Sequence, residues 1–259
     1  MKKELLAIKD FLDESYLKYN TNLFIDSDPI SIPRKFSKKE DIEIAGFLSA
    51  TIAWGNRKSI ISNGEKLMKL MDNAPHDFII NHNKNELKPL EKFVHRTFNG
   101  KDCFFFVKSL QNIYKNSGGL ENSFGGVEKK FNGCLKNRLI HFRTLFLETQ
   151  HLARSEKHIS NPNQKSSAKR LCMYLRWMVR QDKKGVDFGI WKSIKPSQLI
   201  CPLDVHVLRV ANSLELLQSE KSNWETAELL TSELRKFDKS DPVKYDFALF
   251  GMGLEGFGK

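Results

Sequence analysis

Apolar residues recur at intervals of three and four along almost the whole chain. Leu5, Ile8, Phe11 and Leu12 set the pattern at the start, and Leu229, Leu230, Leu234 and Phe237 repeat it near the end. Strict alternation, the mark of a half-buried strand, is scarce. The spacing predicts a nearly all-α chain. Helices are expected at about 2–19, 39–54, 57–72, 75–82, 86–94, 101–115, 120–138, 166–181, 188–192, 196–199, 204–216, 224–237 and 241–252, divided by Gly, Pro, Asn and Ser. Two polar connections stand out. SEKHISNPNQKSS (155–167) delivers the chain into AKRLCMYLRWMVR, and QDKKGVDFGIWKSIKPSQLI (181–200) leads on to CPLDVHVLRVANS (201–213). There is no internal repeat and no low-complexity tail.

Composition narrows the classes. The 259 residues are 40% apolar, enough to build a buried core in one large domain or two lobes. Against 31 acids stand 42 Lys and Arg, a formal charge of +11, which favours a polyanionic partner such as nucleic acid; an inert basic surface is the alternative. Cys103, Cys134, Cys172 and Cys201 contain no CxxC and no tight run, so reduced thiols in a cytoplasmic protein are expected, with no iron–sulfur cluster. The seven histidines form no HExxH or HxH pair, and no metal or other cofactor is expected. The N-terminus lacks the unbroken apolar stretch of a signal peptide, and no window approaches the roughly 18 apolar residues of a membrane span. FFFVKSLQNIY (104–114) reads as a helix buried on one side.

Two residues carry candidate chemistry. If Ser166 or Ser167 caps the helix that follows, Lys169 sits in its first turn, where the helix dipole and the neighbouring Lys165 and Arg170 disfavour the ammonium form. A lysine so placed can attack an aldehyde-like sugar carbon; a solvated lysine is the plain alternative. Asp204, behind Pro202 and ahead of the stripe Val207/Leu208, Ala211, Leu214, is an N-cap by position. Opened to a cleft, the same carboxylate can support a developing sugar cation or move the proton of an attacking amine.

CPLDVHVLRVANSLELL resembles the P-V-D-T-H-V-x-R-V segment of the helix-hairpin-helix DNA glycosylases, with Pro202, Asp204, His206, Val207, Arg209 and Val210 in matching places and Leu203 for the usual valine. GFLSATIAWGNRKSIISNGEKL (46–67) resembles the L-L-S-A-Q-x-T-D helix and turn of the endonuclease III group at Leu48, Ser49 and Ala50. Thr51 stands where that group often has a DNA-probing glutamine, which leaves Trp54 as the candidate stacking residue or as a core aromatic at a helix end. The order of nucleophilic lysine and then aspartate matches as well. The 35-residue spacing is nearer that of the archaeal 8-oxoguanine glycosylases, with 181–200 as extra structure. The chain departs at the hairpin: L-P-G-x-G-x-K-T-A becomes NPNQKSSAKRL, both glycines gone, which alters phosphate anchoring. From about residue 40 to the end, the chain is also similar to a bacterial family that carries only a domain-of-unknown-function label.

The resemblance implies a two-lobed, all-α helix-hairpin-helix DNA glycosylase-like fold. The terminal helical lobe would comprise 1–38 plus 200–259, and the central helical lobe 39–199 with a hairpin-like motif near 158–170. Damaged double-stranded DNA would be the partner of a monomer, held in the cleft between the lobes. The implied activity is base-excision glycosylase, with or without strand nicking, Lys169 and Asp204 being catalytic. DNA contacts are expected from Trp54, Asn56, Arg57, Lys58, Lys165, Arg170 and His206, with Arg176 and Arg180 as further basic candidates. A base pocket is expected from Trp177, Asp246, Phe247 and Phe250, although core packing is the alternative for its aromatic members. The other class is a non-catalytic DNA-binding protein that keeps the fold.

Overall fold

A computed structural model of the chain describes residues 3–126 and 133–258. Helices dominate it, and the strands among the described residues are a two-residue antiparallel pair, Val94 opposite Asn99 and His95 opposite Phe98. The chain divides into two compact units, 1–24 with 161–259, and 25–160. Residues 161–199, expected in the central lobe, cluster with the terminal helices, and 25–38 cluster with the central segment.

The unit 25–160 is built around the helix Lys39–Thr51, which is buried on nearly every side. Phe47 at its centre meets Phe106, Phe142 and Phe146 with ring centroids 5.5 to 5.9 Å apart. These rings come from the helices Gly100–Asn116 and Leu135–Leu147, so one aromatic cluster ties three elements together. Asn99 starts Gly100–Asn116 with a capping box: its side chain accepts from the Lys101 and Asp102 amides, and Asp102 accepts from its own N–H at 2.9 Å.

In the unit 1–24 with 161–259, the N-terminal helix Lys3–Tyr19 packs on the C-terminal helix Tyr245–Glu255, and Val205–Ser213 packs on that helix as well. Glycines make these approaches close. A Cβ on Gly251 would lie 2.3 Å from the Tyr19 ring, and one on Gly253 would lie 2.9 Å from the His206 Cβ. Trp177, Trp191, Trp224 and Tyr174 fill the interior.

Several expected elements are corrected. Residues 188–192 are not helical. Phe188 and Gly189 donate to the Trp177 carbonyl and Trp191 to that of Met178, so this apolar stretch satisfies the end of the helix Lys169–Val179 instead of forming its own ladder. The expected 86–94 helix splits into Lys84–Leu87 and a 3-10 turn, Lys88–Lys92, ahead of the strand pair. Gly119–Gly125 occupies the start of the expected 120–138 helix, and residues 127–132 lie outside the described residues. The helix Leu135–Leu147 extends well beyond what the spacing indicated.

Candidate functional site

Lys169 opens the helix Lys169–Val179, though not by the expected cap. Ala168 holds the N-cap position in a left-handed conformation, φ 50°, without a side-chain cap bond. Ser166 Oγ accepts from the Ala168 amide at 3.1 Å, and buried Ser167 donates to the Leu203 carbonyl at 2.9 Å. The second bond ties the residues before Lys169 to those before Asp204. Lys165 is also left-handed, φ 50°, so backbone turns that glycine makes at least cost are made here by side-chain-bearing residues.

Asp204 caps the helix Val205–Ser213, as its position predicts. Its Oδ1 accepts the His206 and Val207 amides, each at 2.9 Å. The other oxygen, Oδ2, accepts from Lys169 Nζ at 2.7 Å. The two readings of this aspartate therefore divide between its two oxygens. Burial alone would raise the carboxyl, but the adjacent Lys169 ammonium, its hydrogen bond and the Val207 amide hold it below the ordinary value. The lysine side chain keeps 30% of its exposure and the aspartate 15%, so solvent reaches the pair without surrounding it.

Phe250 and His206 stand beside this pair. Lys169 Nζ lies 5.5 Å from the centroid of the half-buried Phe250 ring, and His206 meets that ring edge-on at 6.5 Å. The His206 Nδ1 is buried with no hydrogen-bond partner among the described residues.

Behind the pair runs a buried chain of charge that the sequence reading missed. Arg176 pairs with Asp246, and its Nε donates to Asp187 at 3.2 Å. Arg180 reaches Asp187 at 3.1 Å, Asp241 at 2.8 Å, Asp182 at 2.7 Å and the Tyr16 hydroxyl at 2.7 Å. The Arg176 guanidinium lies 4.2 Å from the Phe247 ring centroid. Arg176 and Arg180, further basic candidates by sequence, are enclosed at 3% and 1% exposure because these carboxylates neutralise them inside. Burial pushes the Asp246 carboxyl up to about 6, the pull of Arg176 and Lys169 offsetting only part of that cost and Asp204 adding to it.

The remaining candidates scatter. Trp177 and Phe247 are fully enclosed in the core, and Asp246 is held by Arg176, so of the four expected pocket residues only Phe250 presents a face next to Lys169. Lys165 is exposed and Arg170 half-buried, both adjoining Lys169 in sequence. Trp54, Asn56, Arg57 and Lys58 belong to the other unit. Trp54 there packs edge-on against His95 at 5.1 Å and stacks on His158 at 5.8 Å. Asn56 caps Arg57–Lys69 by accepting from the Ser59 amide, and Lys58 is exposed. Cys103, Cys172 and Cys201 are buried and Cys134 exposed, all as free thiols. Among the described residues no group of three or more His, Cys, Asp or Glu side chains is disposed to hold a metal ion, and no helix is long and apolar enough to cross a membrane.

Against known families, the model described as "Protein of unknown function (DUF2400)" matches residues 28–255. The chain belongs to this family. The matched span contains Lys169, Asp204, His206, Asp246 and Phe250, so the site is part of what the family model covers. Comparison with curated proteins and with solved structures gives no match.

Proposed function

We propose that the protein is a DNA base-excision glycosylase with lyase capacity, its two units being the lobes of a helix-hairpin-helix glycosylase-like fold. One observation carries this reading: the contact between Lys169 Nζ and Asp204 Oδ2, each residue at the start of its own helix. A lysine attacks only as the free amine, and the carboxylate at 2.7 Å is placed to receive the proton it must give up. In the proposed reaction Nζ bonds to the sugar C1′ and the C1′–N bond breaks, its electron pair leaving on the base. Asp204 takes one proton from the attacking nitrogen and passes it to the departing base. As the C1′–O4′ bond opens, the second nitrogen proton passes through the freed Asp204 carboxylate to O4′, and a protonated Schiff base remains.

Phe250 offers a ring beside the reacting atoms. The formal charge of +11 supports a DNA partner through counterion release. The test is borohydride trapping on duplex oligonucleotides carrying an abasic site, 8-oxoguanine, uracil or thymine glycol. A covalent adduct that disappears in Lys169→Gln is the expected result. Salt-sensitive binding with no adduct or cleavage on any duplex overturns the enzyme reading in favour of a binding protein, and an adduct that survives Lys169→Gln moves the nucleophile elsewhere.

A further inference from the structure

The helix Gly100–Asn116, in the unit 25–160, carries a second constellation, whereas the Lys169–Asp204 pair belongs to the other unit. Lys101, Phe104 and Lys108 follow one another at i, i+3 and i+7 and share a stripe of the helix. Together with Phe105, His151 and Leu152 they line a cavity of about 410 Å³. That volume lies within the range of pockets that take small molecules or single nucleotides. Its floor is aromatic: the Phe105 ring packs against His151 with centroids 4.6 Å apart and an interplanar angle of 32°. Phe104 is half-buried, and Leu152 remains 47% exposed beside it.

The charges at this cavity are one-sided. Lys101 makes no side-chain hydrogen bond or ion pair among the described residues. Among the described residues the Lys108 ammonium has one hydrogen-bond partner, His82 Nε2, at 3.4 Å. Asp102, next along the helix, does not neutralise either lysine; its side chain is fully buried and held by Arg154 at 2.9 Å and Ser155 at 2.5 Å. Glu156, 3.6 Å from His151, is itself bound by Arg143 at 2.6 Å. The two ammonium groups thus rise from points about 10.5 Å apart along the helix axis, at 1.5 Å per residue, with an aromatic face between them.

A planar ring system flanked on both sides by anions fits this arrangement, and a nucleic-acid strand presents a phosphate on each side of every base. We propose that this slot binds one unpaired nucleotide of a single-stranded nucleic acid, its base stacked on Phe104 and its flanking phosphates on Lys101 and Lys108. Stacking on an aromatic ring tolerates any base, so the slot reads the absence of a pairing partner and not the sequence. It is a property of this unit alone and does not depend on catalysis at Lys169.

Thymidine 3′,5′-bisphosphate is the probe, titrated into the full chain and followed by amide nitrogen–proton NMR at several salt concentrations. The bisphosphate shifts the amides of residues 101–108 and 150–152, and affinity drops roughly tenfold for each phosphate removed, through thymidine 5′-monophosphate to thymidine. Affinity falls as salt is raised, and Lys101→Gln or Lys108→Gln each removes about half of that dependence without changing the thermal midpoint. Phe104→Leu keeps the salt slope and weakens binding roughly tenfold. Three outcomes overturn the proposal: those amides do not shift, thymidine binds as well as the bisphosphate, or an acidic amphipathic peptide occupies the slot and the bisphosphate does not.

Discussion

Lys169 and Asp204 stand 35 positions apart in sequence, and their side chains meet at 2.7 Å. The meeting is held by backbone as much as by charge, since Ser167 donates to the carbonyl of Leu203, the residue just before the aspartate. Asp204 meanwhile serves two partners with two oxygens, and those roles separate by substitution.

Asp204→Asn keeps the cap, because an asparagine side-chain oxygen accepts the same amides, and it removes the charge that faces Lys169. Its stability by urea denaturation stays within about 1 kcal/mol of wild type, whereas Asp204→Ala loses about 1–2 kcal/mol. On the proposed chemistry both variants lose the borohydride adduct. Equal stabilities for the two would show that capping contributes nothing here.

Lys165 is exposed and left-handed, a conformation that costs a side-chain-bearing residue roughly 1–2 kcal/mol relative to its preferred regions. Lys165→Gly therefore raises the unfolding free energy by about 1 kcal/mol, net of the added chain entropy of glycine. The same change weakens DNA binding if Lys165 contacts phosphate. A lower denaturation midpoint for this variant would refute the backbone argument.

Arg176 is shared by Asp187 and Asp246, and its removal leaves two buried carboxylates short of their counter-charge. Arg176→Leu is expected to cost about 3–5 kcal/mol. Pairing it with Asp246→Asn recovers part of that loss, because one of the stranded charges goes too. Strict additivity of the two substitutions in a denaturation cycle would disprove the coupling.

The two aspartates near Lys169 respond to pH with opposite sign. Asp246, raised from an ordinary 3.8 to about 6, takes up a proton on folding; its contribution is full below the unfolded value and is lost as pH rises through about 6. Asp204, lowered, contributes above its unfolded value and loses that contribution as pH falls. Unfolding free energies measured from pH 4 to pH 7 thus contain a falling component that Asp246→Asn abolishes. Parallel profiles for wild type and variant would remove the assignment.

How much of this was legible in the sequence depends on whether the signal is local. The helix Trp224–Phe237 matches its expected bounds because Asn223 caps it and its apolar positions keep a helical period. The Asp204 cap was equally readable, one acid ahead of one amphipathic stripe. Lys169 was placed correctly at a helix start, but the serine caps were not, since Ser167 spends its hydroxyl on Leu203, 36 residues away. Nor could spacing reveal that Arg176 and Arg180 turn inward, because their partners Asp187, Asp241 and Asp246 lie in later segments that approach only once the chain has folded. For Trp177 and Phe247 the sequence leaves pocket and core both open, and the structure selects the core, because an aromatic residue has the same sequence signal whether it lines an opening or fills a core.

The division of the chain also sets an order of assembly. Residues 25–160 are one continuous stretch, whose partners are all present once its last residue has been made. The N-terminal helix instead packs on Tyr245–Glu255, and so must wait, through the synthesis of more than two hundred residues, for the far end of the chain. Lys169 and Asp204 belong to the part that closes last. A polypeptide cut short before residue 245 can complete its inserted unit but not the packing beneath its candidate catalytic pair.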